Sequence, residues 1–405
     1  MQLSANTVER QRRELALQIA LGTPLIATKG YGAPEVGATS ARARELCDRV
    51  GDTAQLLPIL YRQWAYHVAH PETRMARRLA EEFLRAAESQ NAEGPALVAR
   101  RAVGFCQYQC GELIASRNNL QQACALYIAE RHRTLAFQYG QDTQPPALAV
   151  LSIVLWLLGY PDQAMRMRDE AITRGRETAH AHTLAHAQAF AGCVLSAISR
   201  DWHSTREHGA SLVIFTEQQR LALWHAWVKF YHSRALSELA PTEAVLAQMR
   251  EALAEVDATG TTRNLTFHLV LLAEVHGRLG QAATGLSVID EALAQVEAAD
   301  ERWWEAEIYR VRGELLLSLT AENSLEAEAC FERAIEIARR QSAKSLELRA
   351  ATSLARLWQT KRRSDEAFAL LPPIYGWFTE GFDTADLKDA KALLDQLGPC
   401  ETDSS

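Results

Sequence analysis

Apolar residues recur at spacings of three and four positions along almost the whole chain, as in the segment AEACFERAIEIARR at 327–340. This spacing places apolar side chains on one face of an α-helix. No stretch alternates β-branched and polar residues between hairpin signals, as strands would require. The pattern therefore predicts an all-α protein.

Small side chains recur roughly every 40 residues when the chain is compared with itself, which is the scale of a helical repeat. These positions are Gly22, Gly104, Ser152, Cys193, Ser233, Ala273, Gly313 and Ala355, with Trp64 as the exception in size. A second series follows within each unit at Ala76, Ser116, Ala164, Thr205, Val245, Gly285, Ala327 and Ala367. A third series follows at Phe83, Ala123, Ala171, Leu212, Ala252, Ala292, Ala334 and Ile374. Gly111, Gly159 and Gly280 fall between the two halves of their units, which indicates a helix, a glycine turn and a second helix.

These three series resemble the small-residue positions of the tetratricopeptide repeat. The usual period of that repeat is about 34 residues, so the units here have longer helices or loops. HEAT-like pairs are the structural alternative, which the internal spacing disfavours. We predict a right-handed superhelical solenoid of about nine antiparallel helix pairs with a C-terminal capping helix.

The predicted solenoid is continuous, with one interruption. We expect helix pairs over 1–130, an irregular segment over 131–146, further pairs over 147–382, the capping helix over 383–397 and a disordered tail over 398–405.

Several strings resemble the helical C-terminal region of bacterial proteins in which a class III adenylate/guanylate cyclase or a kinase domain precedes a signalling ATPase and its repeats. The strings are IALGTPLIATKGYGAPEV (19–36), ARARELCDRVGDT (41–53), RHRTLAFQYGQD (131–142), VLWLLGYPDQA (154–164), ERWWEAEIYRVRGELLL (301–317), AKSLELRAATSLARLWQ (343–359) and YGWFTEGFDTADLKDAKALLDQL (375–397). The resemblance implies a sensor or scaffold arm of a cyclase/ATPase-type signalling protein. No GxxxxGK[ST] phosphate loop occurs, so we expect no catalysis and no cofactor in this chain.

Charge and hydropathy narrow the possible partners. With 43 basic and 50 acidic residues the net charge is −7, which does not favour binding to nucleic acid. The longest apolar run, 147–159, is too short to span a bilayer, and the first residues lack the layout of a secretory signal. Seven scattered cysteines are typical of a reducing compartment. We therefore expect a cytoplasmic protein without a membrane or nucleic-acid partner.

Two groups of side chains have the helical spacing of metal ligands. They are His180, His182 and His186 in one string, and Cys106 with Cys110 and Cys124 in another region. The histidines lack the glutamate of HExxH, and cysteines at this spacing also suit a close helix contact. We expect structural roles and no metal, with an adventitious metal site at the histidines as the alternative.

The segment 131–146 lengthens one unit, and long loops in regular arrays often carry function. Its candidate contact residues are Arg131, His132, Arg133, Phe137 and Tyr139. The basic residues suit an anion, and the rings suit stacking. The alternative is that the two rings fill a kink in the superhelix.

A partner is expected in the concave groove, because the first helix of each tetratricopeptide pair lines that face. Residues near the small positions are the candidates, namely Arg101, Phe105, Tyr108, Trp156, Phe190, Trp227, Phe230, Arg234, Arg310 and Glu314. Aromatic and arginine side chains are the types that anchor interfaces. The groove suits a protein or peptide partner, and a small-molecule effector is the alternative.

Overall fold

The structure is a computed structural model that describes residues 2–397, apart from the side chains of residues 2–6, 23, 27 and 28. Within this part of the chain every regular element is helical and no strand occurs, so the all-α prediction is confirmed. Among the same residues, no helix combines the length and the apolar character needed to cross a membrane. The predicted disordered tail at 398–405 lies outside the described residues.

Helices that follow one another along the chain pack as antiparallel pairs. The first three pairs are α1 (Gln2–Lys29) with α2 (Pro34–Val50), α3 (Leu56–Ala69) with α4 (Thr73–Ser89), and α5 (Glu93–Gln109) with α6 (Leu113–Ala125). Two short helices follow, α7 (Ala129–His132) and α8 (Leu135–Tyr139). The fourth pair is α9 (Gln144–Leu157) with α10 (Pro161–Glu177).

The fifth pair is irregular, because its first helix contains a π-helical turn at Gln188–Val194. This turn joins α11 (Ala181–Ala187) to α12 (Leu195–Ile198), and the turn and α12 pack on α13 (Trp202–Gln218). The next pairs are α14 (Ala222–Leu239) with α15 (Glu243–Ala258) and α16 (Leu265–Arg278) with α17 (Ala282–Ala299). The last are α18 (Glu305–Leu319) with α19 (Ser324–Gln341) and α20 (Lys344–Thr360) with α21 (Ser364–Tyr375), followed by α22 (Ala385–Leu397). Residues 2–397 thus contain nine pairs and a final helix, as predicted.

The small positions lie where the two helices of a pair touch. A Cβ atom on Gly104 would lie 2.8 Å from Leu120 Cγ, and one on Gly313 would lie 2.6 Å from Phe331 Cε1. In the α5–α6 pair, the Ser116 hydroxyl also donates to the Gly104 carbonyl oxygen at 2.7 Å. Larger side chains would therefore separate the helices of these pairs.

Successive turns of the superhelix also touch each other. The Thr262 amide donates to the Ala69 carbonyl oxygen at 2.9 Å, which joins segments five pairs apart. The Gln109 side-chain amide donates to Asn264 Oδ1 at 2.8 Å, four pairs along. Nearer the C-terminal end, the Arg349 guanidinium donates to the Ile198 carbonyl oxygen at 2.7 Å. The superhelix is therefore wound tightly enough to bring first helices of different turns into contact.

Aromatic side chains fill the axis of this superhelix. A continuous series of ring contacts passes through Tyr61, Trp64, Phe105, Phe190, Trp227, His268, Phe267 and Trp303. All of these side chains are buried. The hydrophobic core thus lies along the axis, and only part of the concave face is open to solvent.

Candidate functional site

The concave face opens near the C-terminal end into a cavity of about 530 Å³. It is lined by residues of α14, α16, α18, α20 and α22 and of the turn between α12 and α13. Six arginines line it, namely Arg200, Arg234, Arg278, Arg310, Arg349 and Arg356. Six carboxylates accompany them, namely Glu238, Glu274, Glu307, Glu314, Asp386 and Asp389. We call this the charged cavity.

The repeat itself places several of these charges on one surface. Arg234, Glu274, Glu314 and Arg356 each directly follow the small residue of their unit, and so occupy the same position in four successive first helices. First helices of consecutive pairs lie side by side on the concave face. One charged residue per repeat therefore produces a row of charges across the cavity.

Ion pairs connect these residues into a continuous chain. Starting from Arg278 at the end of α16, the successive partners are Arg278, Glu238, Arg234, Glu274, Arg310, Glu307, Arg349, Asp386, Arg200 and Asp389. Glu274 lies 3.0 Å from Arg234 and 3.6 Å from Arg310, so it links three consecutive pairs. The network holds charges of both signs in fixed positions.

Glu307 is the most deeply buried carboxylate of the network. Burial alone would raise its pKa, but Arg310 and Arg349 at 2.8 and 3.0 Å outweigh that effect and lower the pKa to about 2. Burial also opposes the charge of both arginines, yet their carboxylate partners raise the pKa of each above its ordinary value. All three groups are therefore charged at neutral pH.

Aromatic rings hold two of the guanidinium groups in place. Arg234 Cζ lies 3.9 Å from the centroid of the Trp202 ring, and Arg349 Cζ lies 5.2 Å from that of Trp156. Such stacking orients a guanidinium without consuming its hydrogen-bond donors. By contrast, the side chains of Glu314 and Arg356 are 47% and 52% exposed. These two are the charged groups that an incoming partner meets first.

Three of the predicted groove residues, Arg234, Arg310 and Glu314, line the charged cavity together. Arg101 lies elsewhere, buried near Tyr61. The structure also buries the predicted aromatic residues, namely Phe105, Tyr108, Trp156, Phe190, Trp227 and Phe230. All of these rings except that of Trp156 contact other rings of the core, because the next superhelical turn packs onto this part of the concave face, and Trp156 contacts the Arg349 guanidinium instead.

The predicted contact segment 131–146 divides into exposed and buried side chains. Phe137 is 82% exposed, and Arg131 and Arg133 are exposed beside it. The buried His132 accepts a hydrogen bond at Nδ1 from the Ile128 amide, at 2.9 Å. Tyr139 packs edge-on against Tyr61 with centroids 4.8 Å apart, deep in the core.

The histidines and cysteines considered as metal ligands have other contacts. His182 and His186 both pack against Trp224, with ring centroids 5.6 and 5.1 Å away, while His180 caps α11 by accepting from the Thr183 amide. Cys106 Sγ lies 3.3 Å from the Trp64 indole nitrogen, and Cys110 and Cys124 are partly buried free thiols. Among residues 2–397, no group of three or more His, Cys, Asp or Glu side chains is placed to hold a metal ion.

Comparisons with known proteins agree with this fold. No protein-family model matches the sequence. An uncharacterised protein of Rhizobium meliloti is 24% identical over 367 residues, which cover 88% of this chain and 34% of that protein. The chain thus spans about a third of the length of its curated relative.

Among solved structures, a Rap protein complexed with competence and sporulation factor is similar over 95% of this chain and 99% of its own, with a TM-score of 0.59 and 11% identity. A signal transduction ATPase with numerous domains from Pyrococcus horikoshii, which has a tetratricopeptide repeat sensor, matches at a TM-score of 0.47 and 13% identity, over 95% of this chain and 54% of that one. At such identities the Rap likeness shows the fold alone, a solenoid of tetratricopeptide-like pairs.

Proposed function

We propose that the chain is a non-catalytic scaffold or sensor that binds a peptide, or an extended segment of a protein, in the charged cavity. The observation that carries this proposal is the row of fixed charges of both signs on the concave face, with Glu314 and Arg356 accessible at its surface. The Rap protein of the same fold is seen complexed with competence and sporulation factor, which supports binding on this kind of solenoid.

The chemistry of the cavity suits a peptide with charged side chains. A carboxylate of the partner pairs with Arg356, whose own carboxylate partner Asp389 is as far as 4.0 Å away. A basic side chain of the partner pairs with Glu314, next to the Ser353 hydroxyl. Complementary charges of this kind fix the register and direction of an extended partner.

We also propose a role for the chain in bacterial signal transduction. The cyclase- and ATPase-like strings span the chain, and the Rhizobium meliloti relative is about three times as long as the matched region. We propose that solenoids of this kind form the regulatory arm of a bacterial cyclase/ATPase-type signalling protein, in the cytoplasm.

A small-molecule effector is the second candidate, and the size of the charged cavity favours it. Ligand sites typically enclose about 300–1,000 Å³, and this cavity encloses about 530 Å³. A metabolite that binds there would raise the Tm by mass action. A metabolite screen by thermal shift tests this candidate, and the absence of any shift would count against it.

The peptide proposal is tested by selection from a random peptide library against the purified chain. The double variant Glu314→Gln/Arg356→Gln removes the two accessible charges, keeps the shape of the first side chain and leaves a shorter neutral polar side chain at the second. We expect selected peptides to carry charged residues and to bind this variant at least about tenfold more weakly, because each lost charge-assisted contact is worth about 1.5–3 kcal/mol.

The matched control removes one positive and one negative charge from α19, the second helix of the pair to which Glu314 belongs. Arg333 and Glu336 form an exposed ion pair on α19, so Arg333→Gln/Glu336→Gln should leave peptide affinity unchanged. Circular dichroism checks that both variants retain their helices. Equal affinities for the two variants would place the peptide outside the charged cavity.

A further inference from the structure

A second polar cluster lies on the superhelix axis, and it shares no lining residue with the charged cavity. It surrounds an enclosed cavity of about 20 Å³. The lining combines residues of separate pairs, including Tyr31, Arg101, His186, Trp224, Thr261 and Arg263. A cavity of this volume holds a single water molecule or a single monatomic ion.

Buried polar atoms without a protein partner are concentrated around this cavity. The unpartnered atoms are Tyr31 Oη, Arg101 Nε, His182 Nδ1, His186 Nε2, Trp224 Nε1, Thr261 Oγ1 and Arg263 Nε. Arg101, His186, Trp224 and Thr261 are only 1–3% exposed. Buried polar groups normally have partners, so seven such atoms around one cavity indicate a common ligand.

The orientation of Gln141 makes His186 a donor as well. With its amide placed so that both neighbours are satisfied, the Gln141 oxygen accepts from Arg101 at 3.1 Å and its nitrogen donates to His186 Nδ1 at 3.1 Å. Burial lowers the pKa of His186 well below its ordinary value, so the ring is neutral. Its single proton is then on Nε2, the unpartnered atom.

The cluster also has an excess of positive charge. No carboxylate lines the cavity, whereas two guanidinium groups do. Arg263 lies among aromatic faces, with Cζ 5.5–5.9 Å from the ring centroids of Phe105, Phe190, Trp224 and Trp227. A buried charge without a counter-charge is strongly unfavourable in this environment.

Glu301 is a neighbouring carboxylate, and it is engaged elsewhere. It lines a different small cavity on the other side of Arg263, and it accepts hydrogen bonds from the Thr266 hydroxyl and, at 3.1 Å, from the Asn264 amide. Burial raises its pKa to about 7 despite these donors, so it is only partly ionised at neutral pH. It therefore compensates the two arginines incompletely.

We propose that the small cavity binds a halide-sized inorganic anion, held by the guanidinium groups of Arg101 and Arg263 and by the indole N–H of Trp224. An anion accepts hydrogen bonds from every donor around it. A water molecule has two lone pairs and two protons of its own to place, and most of the unpartnered atoms around the cavity are N–H or O–H donors. Both charge and hydrogen bonding thus select the anion.

The bound anion joins parts of the chain that are distant in sequence. Tyr31 follows α1, Arg101 belongs to the third pair, Trp224 to the sixth, and Arg263 precedes α16. These are segments of successive superhelical turns. The anion therefore stabilises the closed winding of the solenoid.

Thermal unfolding in different sodium salts tests the site. At equal ionic strength, chloride and bromide should raise the Tm of the whole chain by roughly 2–4 °C relative to gluconate, which is too large to enter. Trp224→Phe removes the indole donor together with part of the ring volume and should reduce this difference. Trp227→Phe is the control, because Trp227 is an equally buried neighbour with a ring centroid 5.6 Å away and does not line the cavity.

Bromide provides a direct measurement on the unaltered protein. Crystals soaked in bromide should show an anomalous peak between Arg101 and Arg263, and the peak should weaken in Arg263→Met if that variant folds. A cavity without a bromide peak, together with equal Tm values in chloride and gluconate, would mean that water alone fills it and would overturn the proposal. A peak without a Tm difference would show binding at crystal concentration only, and would equally reject the stabilising role.

Discussion

Glu307 contacts two arginines that come from different helix pairs. Arg310 belongs to the same helix, α18, whereas Arg349 reaches it from α20. Each arginine has a further carboxylate partner, so the network does not depend on one pair alone. Breaking a buried ion pair on one side typically costs about 3–5 kcal/mol, because the remaining charge stays buried.

The lowered pKa of Glu307 predicts a specific loss of stability in acid. The unfolded carboxyl titrates near the ordinary glutamate pKa of 4.5 and the folded one near 2, so between these pH values the unfolded chain binds a proton that the folded chain does not. The free energy of unfolding therefore falls as the pH falls through this window, by about 3 kcal/mol in total. Glu307→Gln should have a correspondingly flatter profile in urea unfolding between pH 5 and about pH 3.

An outer-surface variant separates this effect from general acid destabilisation. Glu336→Gln removes an exposed carboxylate from α19 and should leave the pH profile of the wild type unchanged. If the free energy of unfolding of Glu307→Gln depends on pH as steeply as that of the wild type, the Glu307 carboxyl is not ionised in the folded protein. The ion pairs described for Glu307 would then be wrong.

The sequence predicts part of the charged cavity. Arg234 and Glu314 follow the small residue of their repeats and were candidates for that reason, and Glu274 and Arg356 occupy the same register. A search for a charge directly after each small position would have found all four. Asp386 could not be found in this way, because it belongs to α22, which lies outside the repeat and meets Arg349 only through tertiary packing.

At the scale of helices, the small residues decide how closely a pair can pack. Gly313→Ala places a methyl group 2.6 Å from Phe331 Cε1, a buried ring with little freedom to move. We expect this substitution to destabilise the protein by about 1–3 kcal/mol, even though alanine is the better helix former. Urea unfolding measures the difference.

Gly175→Ala is the matched helical control. Its Cβ atom would meet Leu184 Cδ1 at 3.3 Å and Ala187 Cβ at 3.4 Å, and a small shift of the half-buried Leu184 side chain relieves the closer contact. The higher helix propensity of alanine should then make this variant as stable as the wild type or more stable, by up to about 1 kcal/mol. If both variants are stabilised, the glycine at 313 is not required for close packing.

The helix pairs were predictable because each repeat carries the same local signal, but α7 and α8 were not. They contain four and five residues, too few for a helical period to appear in the sequence. The division of this segment into an exposed Phe137 and a buried Tyr139 depends on Tyr61, which is far away in the chain. The local sequence contains no signal that assigns one ring to solvent and the other to the core, so both were interpreted as one stacking surface.

For the whole molecule, contact between superhelical turns distinguishes this solenoid from an open one. In an open array each repeat touches only its neighbours, and stability is nearly a sum over adjacent pairs. Here Gln109 meets Asn264, and its carbonyl oxygen accepts from the amides of Arg302 and Trp303. Such contacts depend on the pitch of the superhelix, which no local sequence pattern reveals. They bury much of the concave face that was predicted to bind a partner.

These contacts predict cooperative unfolding across the two turns, and Asn264→Gly tests it. Asn264 has φ of 61°, which glycine adopts readily, so the substitution removes the bond to Gln109 without straining the backbone. We expect a loss of about 1–3 kcal/mol, since the Gln109 amide stays buried without a partner. Hydrogen exchange should show weaker protection in both α5 and α16, which lie four pairs apart.

Asn91→Gly is the matched control, because Asn91 has φ of 52° in the exposed turn between α4 and α5, within a single superhelical turn. It removes the same side chain from the same backbone conformation, but it cuts no contact between turns. We expect its stability to stay within about 0.5 kcal/mol of the wild type. Loss of protection confined to α16 in Asn264→Gly would mean that the turns unfold independently, and the molecule would then behave as an open array despite its contacts.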